Sequence, residues 1–274
     1  IPFRFIAGGL HPDHSTLAIF HKRLIDNKNL EIFEALLNEI VQSAIKSGIK
    51  FGSIQVIDSV HSEANVNTVK DHQRKKDGKG PHDPDAQWGV KGKHKVKNQK
   101  GQDVDQVKYF FGYKGHVSMN AENNLITSLE VTSGEAYDGH HFCPLVDQDL
   151  AKDLPVDTYT ADRGYDDGNN HFYLEDHHLH SAICLKDIRT KKKDANKEVW
   201  LELIQTSAYK EGRKERYKIE RKFGEAKQGH GLGRCRYIGL LGFGIQAYFT
   251  AIVLNLKRMV KLLTGVGLKT RSAL

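Results

Sequence analysis

"SIQVIDSV", residues 53–60, is the stretch that decides the fold. It is short, rich in β-branched residues and preceded by Gly52, the pattern of a buried strand. Asp58 interrupts it. A carboxylate inside such a strand is costly to bury unless it is paired or bound to a metal. The plainer reading, an Asp at a strand end capping a loop, is equally open on these residues alone. "LPVDTYTADRGYDDG", residues 154–168, repeats the arrangement, with Asp162 at the end of a strand and Arg163 and Gly164 in the turn behind it. Two strand-end carboxylates can meet at one edge of a sheet. A third, from a helix packed on that edge, would complete an oxygen-rich set of the kind Mg²⁺ or Mn²⁺ prefers.

Outward from these strands the pattern alternates. Upstream, "HPDHSTLAIFHKRL" (11–24) has helix-start chemistry in Pro12, Asp13 and Ser15. "LEIFEALLNEIVQSAI" (30–45) places apolar residues at helical spacing, so the N-terminal region 1–50 reads as a helical pair. Downstream, "VKYFFGYKGHVSMN" (107–120) and "NLITSLEVTSGEAYDG" (124–139) read as two strands around the turn "AENN". "HFYLEDHHL" (171–179) reads as a helix, "HSAICLK" (180–186) as a strand and "IRTKKKDANK" (188–197) as a basic loop. From about Lys210 the pattern is helical. Strands in the middle and helices around them give an α/β sheet with helical flanks. A single large domain over 51–264 and a short tail, 265–274, complete the division.

Composition sets the partners. The chain has 274 residues and a net charge of +7, which favours a polyanion such as nucleic acid. Residues 70–101 carry ten Lys or Arg against four Asp, and Gly and Pro break any periodicity. They read as a long exposed basic loop, solvated and suited to tracking phosphates. Three cysteines are too few and too scattered for a disulfide framework or a zinc site, so a reducing cytoplasm is expected. "IPFRFIAGGLHPDH" (1–14) lacks the apolar core of a signal peptide. "YIGLLGFGIQAYFTAIVLNL" (237–256) approaches the length of a membrane span, but Gln246, Thr250 and Asn255 within it favour a buried core helix, and no membrane partner is expected. The histidine groups His140, His141 with Cys143, and His177, His178 with His180, lack the paired spacing of a structural zinc site. "GHGLG" (229–233) follows a helix rather than a strand and reads as a turn.

"KERYKIERKFGEAK" (214–227) offers three glutamates for the third carboxylate. At about 100° per residue, a continuous helix sets Arg213, Arg216 and Lys227 within about 40° of Glu220. Glu215 and Glu225 fall about 140° away and suit ordinary ion pairing on other faces. Glu220, on a face shared with cations, fits a phosphodiester at a metal centre.

The ordered set, Asp in "VIDS", Asp in "ADRGYD" and Glu in "RYKIERKFGEAK", resembles the DDE transposases of bacterial insertion sequences. It is similar to the cut-and-paste branch whose helix signature is Tyr, two residues, Arg, three residues, Glu, six residues, Lys. Arg216, Glu220 and Lys227 fall at that spacing, and Arg213 stands where the signature has Tyr. The resemblance covers roughly residues 51–260. It implies an RNase H-like mixed sheet, preceded by the end of a DNA-binding or dimerisation region. It implies Asp58, Asp162 and Glu220 as catalytic and metal-binding residues, holding two Mg²⁺ or Mn²⁺ ions about 4 Å apart. The reactions implied are cleavage at transposon ends and strand transfer into target DNA. The partners implied are double-stranded DNA, as terminal inverted repeats and target, and a second copy of the chain in a homodimer at the bacterial nucleoid. Arg213, Arg216, Lys227, Arg163 and Lys114 are the expected DNA contacts. For Lys114, in "GYKGH", an exposed strand-end position without a ligand is an equal reading. Another RNase H-like nuclease, such as a resolvase, or a non-catalytic DNA-binding relic are the alternatives.

Overall fold

Ile54–Glu63 forms the central strand, β1, in a computed structural model that describes residues 14–26, 30–97, 101–191 and 194–267. Before it come two helices, α1 (His14–Asp26) and α2 (Glu31–Lys46), as expected from their spacing. Pro12 and Asp13, and the tail beyond residue 267, lie outside the described residues. After β1 the order is α3 (Thr68–Lys76), β2 (Gln87–Lys97), β3 (Asp103–Asn120), β4 (Ile126–Ser133), α4 (Phe142–Leu150), β5 (Thr158–Thr160), α5 (Gly168–Asp176) and β6 (His180–Ser181). Four helices close the chain: α6 (Lys197–Leu203), α7 (Ser207–Glu215), α8 (Tyr217–His230) and α9 (Leu240–Thr264).

The sheet is mixed. β1 pairs antiparallel with β3 on one side and parallel with β5 on the other, and β6 continues the parallel side. β3 is long because it serves two partners in turn. Its second half lies between β1 and β4, and its first half pairs with β2 alone. The handover falls at Gly112, where a Cβ would sit 2.1 Å from the Ser62 carbonyl oxygen, so only glycine fits.

The segment 70–101 differs from its expected form. It is not an irregular loop: α3 and β2 occupy most of it. Asn67 caps α3 by accepting the Lys70 N–H at 3.1 Å, and Asp71 is the buried residue of that helix. β2 takes its order from β3, a distant partner, which local composition does not reveal. Similarly, "HSAICLK" contributes only the two residues of β6.

Alternation along β1 divides two cores. Val56 and Val60 point to the layer of α2, α8 and α9, where they join Phe33, Leu37, Ile219, Phe243 and Tyr248. Ile57 points to the opposite layer, with Phe142, Leu145, Tyr159, Tyr165 and Leu174. Asp58 shares the parity of Val56 and Val60. α9 is long and apolar enough to cross a membrane, yet it is mostly buried here. Asn255 explains its register: its side chain bonds both the N–H and the carbonyl of Ile126, at 2.8 and 2.7 Å. α9 is therefore a core helix.

Candidate active site

Sheet register brings the two aspartates together. In the parallel pair Val56 lies opposite Thr160, so Asp58 and Asp162 each stand two residues beyond matched positions on adjacent strands. Neighbouring strands run about 4.8 Å apart. Asp58 remains in β1, its side chain 16% exposed, and its Oδ1 accepts the Ser59 N–H at 2.8 Å. Asp162 has left β5 and accepts the Gly164 N–H at 2.7 Å, which fixes its carboxylate at the start of the turn. Burial first, and then the charge of Asp162, push the Asp58 carboxyl up to about 7. The Ser59 N–H and Arg216 pull it back, and Asp138 adds to the rise.

Arg216 links Asp58 to Glu220. Its Nη2 donates to Glu220 Oε1 at 2.5 Å, and its Nη1 stands 3.9 Å from Asp58 Oδ2. Glu220 is more than half exposed. The other two glutamates are engaged elsewhere: Glu215 pairs with Lys218, and Glu225 pairs with Lys222 at 3.4 Å and Lys257 at 3.1 Å.

The helix around Glu220 departs from the expected continuous one. It breaks at Arg216, leaving Arg213 on α7 and Glu220 and Lys227 on α8. α7 is anchored on β5 and β6 at Gly212, where a Cβ would meet the Ala182 Cβ at 2.5 Å. α8 is anchored on β1 through Ile219. Arg213 nevertheless reaches this end of the sheet, its Nη1 3.5 Å from the carbonyl of Ala161, next to Asp162.

The remaining expected contacts scatter. Lys227 Nζ lies 3.3 Å from His61 Nε2, whose pKa burial and the neighbouring lysines Lys227 and Lys91 lower to about 4. Arg163 pairs with Asp187 at 3.0 Å and stays well exposed. Lys114 is preoccupied: it donates to the Ala136 carbonyl at 2.7 Å and to Asp138 at 2.8 Å, with its side chain 12% exposed. A direct phosphate contact from Lys114 would require breaking that pair.

Asp138 and Tyr165 had not been singled out in the sequence. Asp138 follows β4 in a short 3₁₀ turn, and Tyr165 follows Asp162 in another. The Tyr165 hydroxyl is fully buried beside the Ser59 side chain. Burial raises its pKa, and Asp58, Asp138 and Asp162 raise it further.

These observations fit a hard divalent cation. Two neighbouring carboxylates lack a full counter-charge, and a guanidinium bridges from Asp58 to the third carboxylate. Among the described residues, no three His, Cys, Asp or Glu side chains converge as a closed metal cage. Glu220 is turned onto Arg216 instead.

Residues 50–256 match the family described as the transposase DDE domain. This chain belongs to that family. The chain is also 30% identical over 158 residues to the transposase for insertion sequence element IS1106 of Neisseria meningitidis serogroup B. That match covers 57% of this chain and 50% of the relative, so the chain spans about half the length of the curated relative it matches. No solved structure matches this chain.

Proposed function

We propose that this chain is the catalytic domain of an insertion-sequence transposase, acting on the ends of a mobile DNA element. The observation that supports it most is that Asp58 and Asp162 each stand two residues beyond the matched pair Val56 and Thr160 of adjacent parallel strands, with Glu220 tied to Asp58 through Arg216. Asp58, Asp162 and Glu220 are the residues that would hold divalent cations, Mg²⁺ or Mn²⁺. When bound, such ions activate water for phosphodiester cleavage and stabilise the departing 3′ oxygen.

The chain's own residues do the rest. Asp58 would have to give up its proton to hold a cation, and its elevated pKa would make that dependent on the incoming positive charge. Arg216 holds Glu220 near Asp58. Arg213, next to Asp162, and the more scattered Arg163 and Lys227 would add positive charge that orients the DNA backbone. Asp162, fixed by the Gly164 N–H, needs no rearrangement to act. A freed 3′-OH held at the same site then attacks target DNA in a second in-line displacement. Two copies of the chain, one at each end, complete the proposed assembly.

The test is incubation of the protein with a duplex carrying the element's terminal repeats, a target duplex and Mg²⁺. Products joined to the target are expected. Cleavage without joining would instead favour a nuclease, and no cleavage at all would favour a DNA-binding relic.

A further inference from the structure

α8 has a second charged side. Relative to Glu220, Arg221 lies about 100° around the helix, Glu225 about 140°, and Lys218 and Lys222 about 160°. Facing them on α9 are Lys257, Arg258 and Lys261. Between the two helices runs a groove of about 450 Å³ that is lined, among the described residues, by these six cations and a single carboxylate, Glu225. Asn124 closes one edge, and half-exposed Tyr217 stands on the lip.

The charge in this groove is poorly balanced. Glu225 already serves both Lys222 and Lys257. Lys218 is held by Glu215 and by the Ala121 carbonyl at 2.8 Å. Arg258 uses its Nε on the Asn123 carbonyl at 2.6 Å. Arg221 and Lys261 make no ion pair or hydrogen bond among the described residues, and both are exposed. Lys222 is 7% exposed. Burial lowers its pKa against the pull of Glu225, and Arg258 and Lys257 lower it further. Crowded cations of this kind gain when an anion enters.

We propose that the α8–α9 groove is a second DNA-backbone site, which grips duplex phosphates outside the catalytic cleft. The body of α8, about 10–12 Å across with its side chains, separates the groove from Glu220. The phosphates held there are therefore not the one being cut. The groove is open, suiting a polymer, and an aromatic residue beside cations at its lip suits a sugar-phosphate backbone. The inference rests on the DNA reading above for the identity of the polyanion.

The test uses Arg221→Glu combined with Lys261→Glu, two exposed side chains whose reversal removes no internal contact described here. The reference is Lys191→Glu combined with Lys210→Glu, exposed lysines outside α8 and α9 that change net charge equally. Binding of a labelled random-sequence duplex is titrated at several salt concentrations, after thermal melts confirm folding. The groove variant should bind about tenfold more weakly than the reference, with a plot of log K against log salt shallower by about 2, near 0.9 per lost phosphate contact. A groove variant with the affinity and slope of the reference would overturn the site while leaving the DNA reading intact. Failure of the unaltered protein to bind duplex would overturn both.

Discussion

Asp58 keeps its proton in the folded chain to about pH 7, whereas an unfolded Asp releases it near pH 4. Between those values the folded state binds more protons, so this residue lowers stability as pH rises, and its full cost is present above about pH 7. His61 acts in the opposite sense, because its folded pKa is depressed to about 4. Comparing the protein with Asp58→Asn cancels the histidine contribution. In chelator, Asp58→Asn should raise the melting temperature more at pH 8 than at pH 5; an equal effect at both would contradict the buried, coupled carboxylate. The glutamates divide as sharply. Glu220→Gln should abolish cleavage, since it removes the charge a hard cation requires while keeping shape. Glu215→Gln and Glu225→Gln should remain active, their ion pairs lying away from Asp58. Cleavage assays in Mg²⁺ and Mn²⁺ check this, and an inactive Glu225→Gln beside an active Glu220→Gln would reverse the assignment. Asp58, Asp162 and Glu220 stood out in the sequence as candidates because carboxylates in apolar strands and a cation-flanked Glu are locally unusual. Asp138 and Tyr165 were not, since only two separate turns bring them to the same place.

At the scale of elements, the break between α7 and α8 shows where local reading stops. Arg216 keeps helical dihedrals, φ −54° and ψ −37°, so residue propensity gives little warning. The cause is tertiary: Gly212 lets α7 approach β5 and β6, while Ile219 seats α8 on β1. Gly212→Ala should therefore overpack this contact and destabilise the fold by about 1–3 kcal/mol, measured by urea unfolding. An unchanged midpoint would mean that the close approach does not set the break. α3 and β2 were equally hidden. Their lysines look like a solvated loop until β3 supplies the pairing, which sets Lys95 opposite Asp105 and Lys97 opposite Asp103. The hairpin around "AENN" and the α9 core helix were legible because their apolar patterns are strong and local.

For the whole molecule, positive charge lies on both sides of α8, along the exposed α3 and at the exposed Arg163. If about six phosphates are neutralised, log K for duplex DNA should fall with log salt at a slope near −5. Replacing the projecting half of the β2–β3 ribbon by a tight turn should leave the core folded, because residues 113–119 of β3 keep β1 and β4 as partners. The same change should flatten the slope only modestly, since Asp103 and Asp105 already oppose two of the ribbon's lysines. A slope reduced by more than about 2 would assign the ribbon a larger share of the phosphate contacts. The central claim is that Asp58, Asp162 and Glu220 act as one divalent-ion centre. It is tested most directly by cleavage of a terminal-repeat duplex by Asp58→Asn, Asp162→Asn and Glu220→Gln, with DNA binding measured on the same preparations. All three should bind DNA near normally and fail to cut in Mg²⁺ or Mn²⁺; near-normal cutting by any one of them, or cutting by the unaltered protein in chelator, would contradict the claim.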